Sequence, residues 1–174
     1  MRLMLLRHAK SEKAEPGMSD RDRGLTQRGR GDAQRMGAYM AHHAFIPDRS
    51  IVSSARRTRE TWECLATAFS APPPVSYDDR LYNAGPDALL AVIREADRSA
   101  RTQLVIGHNP GLHEIARRLI AAGDVEARER LNEGLPTAGL AVIDFAGDSW
   151  RTLHVHGGRL ERFVTPRSLK AATD

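Results

Sequence analysis

The amino-acid sequence predicts a three-layer α-β-α sandwich with a mostly parallel sheet and a C-terminal antiparallel strand or hairpin. Three observations predict it. Short, unbroken apolar runs at residues 3–6 and 104–107 read as strands buried on both faces, and residues 51–52 add a shorter one. The segments between them place apolar residues at helical spacing. Strands that alternate with helices bury a parallel sheet under helices on both sides.

The elements follow in order. A polar, charged loop extends from the first strand to Leu25, and Thr26 then N-caps a helix whose inward face is Ala33, Met36, Met40 and Ala44. Ile51 and Val52 form a strand leading into Ser53 and Ser54, and the next helix carries Trp62, Leu65 and Phe69. Pro72, Pro73 and Pro74 make a rigid connector to an edge piece at residues 75–77. Gly85-Pro86-Asp87 opens a third helix, with Leu89, Val92, Ile93 and Ala96 on one stripe; the fixed φ of Pro86 suits a first turn. After the strand at 104–107, Pro110 starts a helix with Leu112, Ile115, Ala116 and Leu119 inward. Late strands near 139–145 and 150–156, joined by Gly147, Asp148 and Ser149, read as an antiparallel hairpin. No internal repeat, low-complexity tract or linker interrupts the chain, so residues 1–174 are expected to form one domain.

Composition removes several function classes. A chain of 174 residues with 41% apolar residues can bury a core without staples. No run of 18 apolar residues exists, so no membrane-spanning segment is expected. The apolar start is too short for a signal peptide, and the single Cys64 excludes an intramolecular disulfide and reads as a small core residue. These features point to the cytoplasm, with no membrane partner. The net charge of +4 raises nucleic acid as a partner. However, the arginines are interleaved with Asp and Glu, and two Trp, three Tyr and four Phe supply no stacking groove, so no nucleic-acid partner is expected.

The chemistry sits where the buried strands stop, which is where open α/β sheets bind ligands. Arg7 and His8 follow the first strand, residues 53–57 the second, and His108 and Asn109 follow Gly107. Two histidines and two or three arginines at one rim suit phosphoryl transfer. Guanidinium forks match phosphoryl oxygens. Neutral imidazole is a competent nucleophile near neutral pH, and a second imidazole can donate a hydrogen bond to the developing charge. Ser11 and Asn109 are placed to touch phosphate through side chain or backbone. This inventory calls for no cofactor and no metal, and there is no GxxxxGK[ST] loop for a nucleoside triphosphate.

These residues fall in recognisable blocks. Leu6-Arg7-His8-Ala9-Lys10-Ser11 resembles the Arg-His-Gly signature of the histidine phosphatase (phosphoglycerate-mutase-like) superfamily. Leu25-Thr26-Gln27-Arg28-Gly29, followed by Ala33, is similar to its Leu-Thr-x-x-Gly helix start. Ser53, Arg57 and Thr61 resemble its Ser-x-x-x-Arg-x-x-x-Thr segment, and Val105-Ile106-Gly107-His108-Asn109 resembles the strand ending in its second histidine. The blocks come in family order from residue 3 to about 120. The short length and the ending Phe163-Val164-Thr165-Pro166-Arg167-Ser168-Leu169 look more like the small SixA-type phosphohistidine phosphatases than the larger mutases.

The resemblance implies that His8 is phosphorylated transiently, that Arg7, Arg57 (rather than Arg56) and His108 clamp the phosphoryl group, and that water then hydrolyses the intermediate. The sequence departs from the family in two places. Ala9 stands where the family has glycine, and Asn83 stands in the segment where the mutases carry an acidic proton donor. An alkoxide leaving group needs such an acid, whereas imidazole is far less basic. The expected substrate is therefore the phosphohistidine of a phosphotransfer or signalling protein. A small-molecule phosphomonoesterase with the same nucleophile, and a non-catalytic phosphate- or phosphoprotein-binding module, are the alternatives. His42, His43 and His113 read as surface residues. His154 and His156 are expected on one strand face, at a spacing compatible with metal but without an obvious third ligand.

Overall fold

Burial of the short apolar runs organises the molecule. The computed structural model describes residues 1–171. Leu3, Met4, Leu5 and Leu6 of β1 (Arg2–Arg7), and Leu104, Val105 and Ile106 of β4 (Thr102–Gly107), are fully buried. These two strands pair in parallel at the centre of a seven-stranded sheet, with Arg7 opposite Gly107. β2 (Arg49–Ser53) lies parallel to β4, and β3 (Val75–Asp78) closes that edge. On the other side β6 (Leu140–Phe145) runs antiparallel to β1, and β7 (Gly158–Val164) antiparallel to β6. β5 (Ile120–Gly123) then pairs in parallel with β7. β6 alone opposes the rest.

Alternate side chains along β1 feed two cores, as the pleat requires. Leu3 and Leu5 pack with Leu89 and Ile93 of α3 (Pro86–Arg94), Ile115 of α4 (Gly111–Leu119) and Leu131 of α5 (Val125–Glu133). Met4 and Leu6 pack on the opposite face with Met36 and Met40 of α1 (Gln27–His42) and with Trp62 and Leu65 of α2 (Arg56–Ala66). Helices therefore cover both faces, as expected from the sequence, and α6 (Pro166–Ala171) adds a short helix beside α1. Among the described residues no helix is long and apolar enough to cross a membrane.

The N-terminus of α1 is tied to the chain that follows His8. The Thr26 hydroxyl accepts from the Gly29 N–H at 2.9 Å, and the Thr26 N–H donates to the Lys10 carbonyl at 2.9 Å. A Cβ at position 29 would stand 2.1 Å from that carbonyl oxygen, so only glycine lets the helix approach so closely.

Several expectations need correction. The partner of β6 in the late hairpin is Gly158–Val164 and not residues 150–156. Trp150 instead starts a short 3-10 turn, fully buried, with its indole N–H donating to the Ala100 carbonyl, and Leu153 is buried beside it. Packing of this apolar pair beside α3 outweighed strand alternation. His154 and His156 consequently lie in the connection between strands and share no strand face. Ala44 is exposed with φ +56°, past the end of α1, and the buried Phe45 takes the inward place expected of it. Cys64 is half-buried rather than core. β5 and α5 occupy a stretch to which the sequence reading assigned no element.

Candidate active site

His8 leaves the sheet at the end of β1 with its backbone still tied to it, its N–H donating to the Gly107 carbonyl at 3.1 Å. The side chain is 7% exposed, and Nδ1 lies 2.8 Å from the Ala9 carbonyl oxygen. A carbonyl can only accept, so Nδ1 carries the proton and Nε2 keeps its lone pair. The Ala9 N–H donates to the Thr61 hydroxyl, which donates in turn to the Arg57 carbonyl at 2.6 Å. Ala9 is not among the residues with positive φ, so its methyl group is accommodated where the family has glycine.

His108, at the end of β4, faces it. The ring centroids are 5.3 Å apart at an interplanar angle of 54°. His108 Nε2 lies 2.7 Å from the Ser53 hydroxyl and Nδ1 lies 3.2 Å from Arg57 Nη2. A guanidinium only donates, so Nδ1 accepts here and Nε2–H points at Ser53. Rotation of the Ser53 hydroxyl, which can also donate, permits the other tautomer, with Nδ1–H free for an anion.

The two arginines are held in a matching way. Arg57 is 3% exposed; Nη1 donates to the Asp20 carbonyl at 2.7 Å and Nη2 to Asp20 Oδ2 at 3.1 Å. Arg7 Nη1 donates to the Leu135 carbonyl at 3.1 Å. In both residues Nε is buried without a partner among the described residues. A buried charged donor left unsatisfied costs about 1–3 kcal/mol or more, so two of them beside two imidazoles suit a bound anion. Arg56, the competing residue, pairs with Glu60 at 2.7 Å on the exposed side of α2.

Burial, assisted by the positive charges of Arg57, Arg7 and Arg23, pushes the His8 imidazole down to about 4 against the Ala9 hydrogen bond. Burial, with Arg57 and His8 as the next contributors, pushes His108 down to about 3. Both rings are therefore neutral near pH 7. An NMR titration of the His8 ring is expected to show its midpoint near 4, with Nε2 unprotonated from pH 5 upward. A midpoint at the ordinary value of 6.5 would mean that the ring is solvated.

The remaining expected residues are distributed less tightly. Asn109 donates through Nδ2 to the same Leu135 carbonyl, at 2.9 Å, and its Oδ1 is buried without a partner among the described residues. Ser11 forms a bridge to Leu25 and accepts from Arg23 Nη1 at 3.1 Å, which ties it to the loop and not to the histidines. Asn83 is exposed with φ +52°. Asp79 pairs with Arg21, and Asp87 with Arg118 at 3.1 Å. His42 and His43 are exposed, whereas His113 is half-buried with Nε2 2.6 Å from the Leu131 carbonyl oxygen.

Sequence reasoning missed Asp20. It sits in a 3-10 turn (Asp20–Asp22) of the long polar loop, where neighbouring Arg and Asp residues give no periodic signal. Its Oδ2 accepts from the Tyr82 hydroxyl at 2.6 Å and from Arg57, and Oδ1 accepts from Arg23 Nε at 2.9 Å. The Tyr82 ring stands edge-on to His108 with centroids 5.5 Å apart. Asp20 and Tyr82 thus form one wall of the site. On another side a groove of 1180 Å³ opens past Arg7 and Asn109, where Lys10, Arg28, Arg130 and Arg167 outnumber the carboxylates Asp32 and Glu133; neither histidine lines it.

Known proteins resemble this chain in sequence and in fold. Residues 3–85 match the histidine phosphatase superfamily (branch 1). An uncharacterized protein of Mycobacterium leprae is 32% identical over 166 residues, covering 93% of this chain and 100% of that one. Among solved structures, a "putative phosphohistidine phosphatase SixA" from Agrobacterium tumefaciens is 32% identical with a TM-score of 0.80, covering 95% of this chain and 97% of that one. A second protein of that description, from Nakamurella multipartitia, is 29% identical with a TM-score of 0.82 over 95% of each chain.

Proposed function

Because the chain belongs to the histidine phosphatase superfamily, we propose that it removes phosphate from the phosphohistidine of a phosphotransfer or signalling protein, with His8 as the transient phosphoryl carrier. The observation that carries this reading is a pair of buried guanidinium Nε groups, unpartnered among the described residues, on two arginines whose charges act on two neutral imidazoles 5.3 Å apart.

The first step follows from the tautomer of His8. The Nε2 lone pair attacks phosphorus while the P–N bond to the substrate breaks, and its electron pair stays on the leaving imidazole. Arg7, Arg57 and His108 Nδ1–H meet the three phosphoryl oxygens. The His8 Nδ1 proton, held by the Ala9 carbonyl, makes the intermediate a phosphoimidazolium, which is itself activated. Water then attacks, the Nε2–P bond breaks, neutral His8 is restored, and the proton of water leaves with phosphate.

Substrate choice rests on the missing acid. With the far ring nitrogen protonated, a phosphohistidine releases neutral imidazole, whose conjugate acid has a pKa of roughly 6.5, and no donor at the bridging atom is needed. A phosphate ester releases an alkoxide and does need one. The segment that would carry the donor presents Asn83, and the carboxyl group bound to Arg57 at the site wall, Asp20, is held far below the carboxylate range by the Tyr82 hydrogen bond and by Arg23 and Arg57. It is ionised and has no proton to give. The likeness to the Agrobacterium and Nakamurella proteins supports the same substrate class, and the basic groove beside Arg7 fits an acidic protein face.

The test compares kcat/KM for a phosphohistidine-bearing protein with that for phosphoglycerates and sugar phosphates. Phosphohistidine is expected to lead by about 10²-fold or more, the typical contribution of a positioned acid. Faster turnover of the esters would overturn the reading in favour of a small-molecule phosphomonoesterase.

A further inference from the structure

Asp20 has a position that the two-step mechanism leaves unused. It shares the nitrogen Arg57 Nη2 with His108: Asp20 Oδ2 lies 3.1 Å from it and His108 Nδ1 lies 3.2 Å from it. The carboxylate therefore borders the anion seat directly. Its side chain is 49% exposed while both histidines are buried, which places it toward the mouth. In-line attack by His8, from the floor, sends the leaving group toward that mouth. Through Tyr82 the carboxylate is also joined to the neighbour of Asn83, so it stands beside the segment in which a proton donor was expected.

We propose that Asp20 is the specificity-determining carboxylate of this site, accepting the N–H of the leaving imidazole and thereby selecting phosphoimidazolium substrates over phosphate esters. The proposal rests on the phosphohistidine reading and deepens it. Every assigned partner of the Asp20 side chain is a donor: Tyr82 Oη, Arg57 Nη2 and Arg23 Nε. Such a group is an acceptor and not an acid, consistent with its lowered pKa. When phosphoryl oxygens draw the Arg57 Nη2 N–H toward themselves, Oδ2 is left with a lone pair facing the departing ring. A carboxylate there raises the pKa of the bound substrate's far nitrogen and keeps the P–N bond labile at higher pH. The same negative charge opposes a leaving group that departs as an anion. The charged and titratable groups facing Asp20 are Arg23 in its own loop, Arg57 of α2 and Tyr82; Arg21 lies over the Tyr82 ring at 4.7 Å, and His108 of the adjoining strand end stands behind it.

The test uses single-turnover phosphorylation of His8 at saturating substrate, because rates at saturation report ionisations of the bound complex. A phosphohistidine peptide and para-nitrophenyl phosphate serve as probes, with wild type, Asp20→Asn and Asp20→Glu. Asp20→Asn is expected to lower the ratio of phosphohistidine to aryl phosphate rates about tenfold, the effect of one pKa unit on the leaving ring. It should also move the alkaline limb of the phosphohistidine profile to lower pH, and Asp20→Glu should restore that limb. An equal loss on both probes with an unmoved limb would make Asp20 a mere support for Arg57 and overturn the proposal. Equal gains on both, with tighter inhibition by inorganic phosphate, would make it a competitor for Arg57 and also overturn it. A wild type inactive on the phosphohistidine peptide would instead remove the substrate reading on which the proposal depends.

Discussion

Replacement of His8 by alanine is expected to abolish turnover and the phosphoryl-enzyme together. With a radiolabelled phosphodonor, wild type should retain acid-labile, base-stable label after rapid quenching, and His8→Ala should retain none. The loss in kcat should reach about 10⁴-fold or more, the scale seen when a covalent nucleophile is removed while the rest of a site stays intact. His108 is not expected to take over: Nε2 is engaged by Ser53, and Nδ1 either accepts from Arg57 or, as N–H, faces the phosphoryl oxygens, and these partners lie outside β1, so they persist in the variant. Label that survived in His8→Ala would show that the intermediate lies elsewhere.

The second large effect concerns Arg57. Arg57→Lys keeps the positive charge but loses the fork that reaches the Asp20 carbonyl, the Asp20 carboxylate and His108 at once. A lysine ammonium has no Nε–H to present and no fork to hold Asp20 and a phosphoryl group together. We expect kcat/KM to fall about 10²- to 10³-fold, the size of the loss when one oriented donor to a developing charge is removed, and inhibition by inorganic phosphate to weaken in parallel. Wild-type kcat/KM in this variant would mean that Arg57 serves only to anchor the loop carrying Asp20. Arg56→Lys, on the exposed side of the helix, supplies the matched control.

Much of this architecture was legible in the sequence because its signals are local. The apolar runs of β1 and β4 have no alternative to burial on both faces, and the polar residues after them are held at the sheet rim. Thr26 and Gly29 announce the start of α1, and Arg7, His8 and His108 follow from strand ends, whereas Arg57 is singled out from residues 53–57 only by the resemblance to the family segment. What escaped was either irregular or carried by backbone. Between Val142 and Ile143 the pairing of β6 with β7 shifts register, which breaks the alternation that would have marked β7. Trp150, Leu153 and Val155 imitate a strand closely enough to draw the reading away from it. The Leu135 carbonyl, which holds both Arg7 and Asn109, has no side-chain signature. Asp20 is one acid among many charges in a loop, and only the fold reveals that its partners come from α2 and from the segment after β3.

The central strand pair acts as a ruler for the chemistry. The imidazoles project from the ends of adjacent parallel strands, and the ladder bond from His8 N–H to the Gly107 carbonyl extends their pairing up to the nucleophile. Their 5.3 Å separation is thus close to the interstrand repeat of roughly 4.8 Å, a spacing fixed by main-chain geometry. The walls, by contrast, are loops: the polar stretch before α1, the segment after β3 that carries Tyr82, and the turn between α5 and β6. Changes in those walls can retune which phosphorylated molecule enters while the attacking distance stays the same, so divergence in substrate among proteins built this way need not touch the reacting atoms.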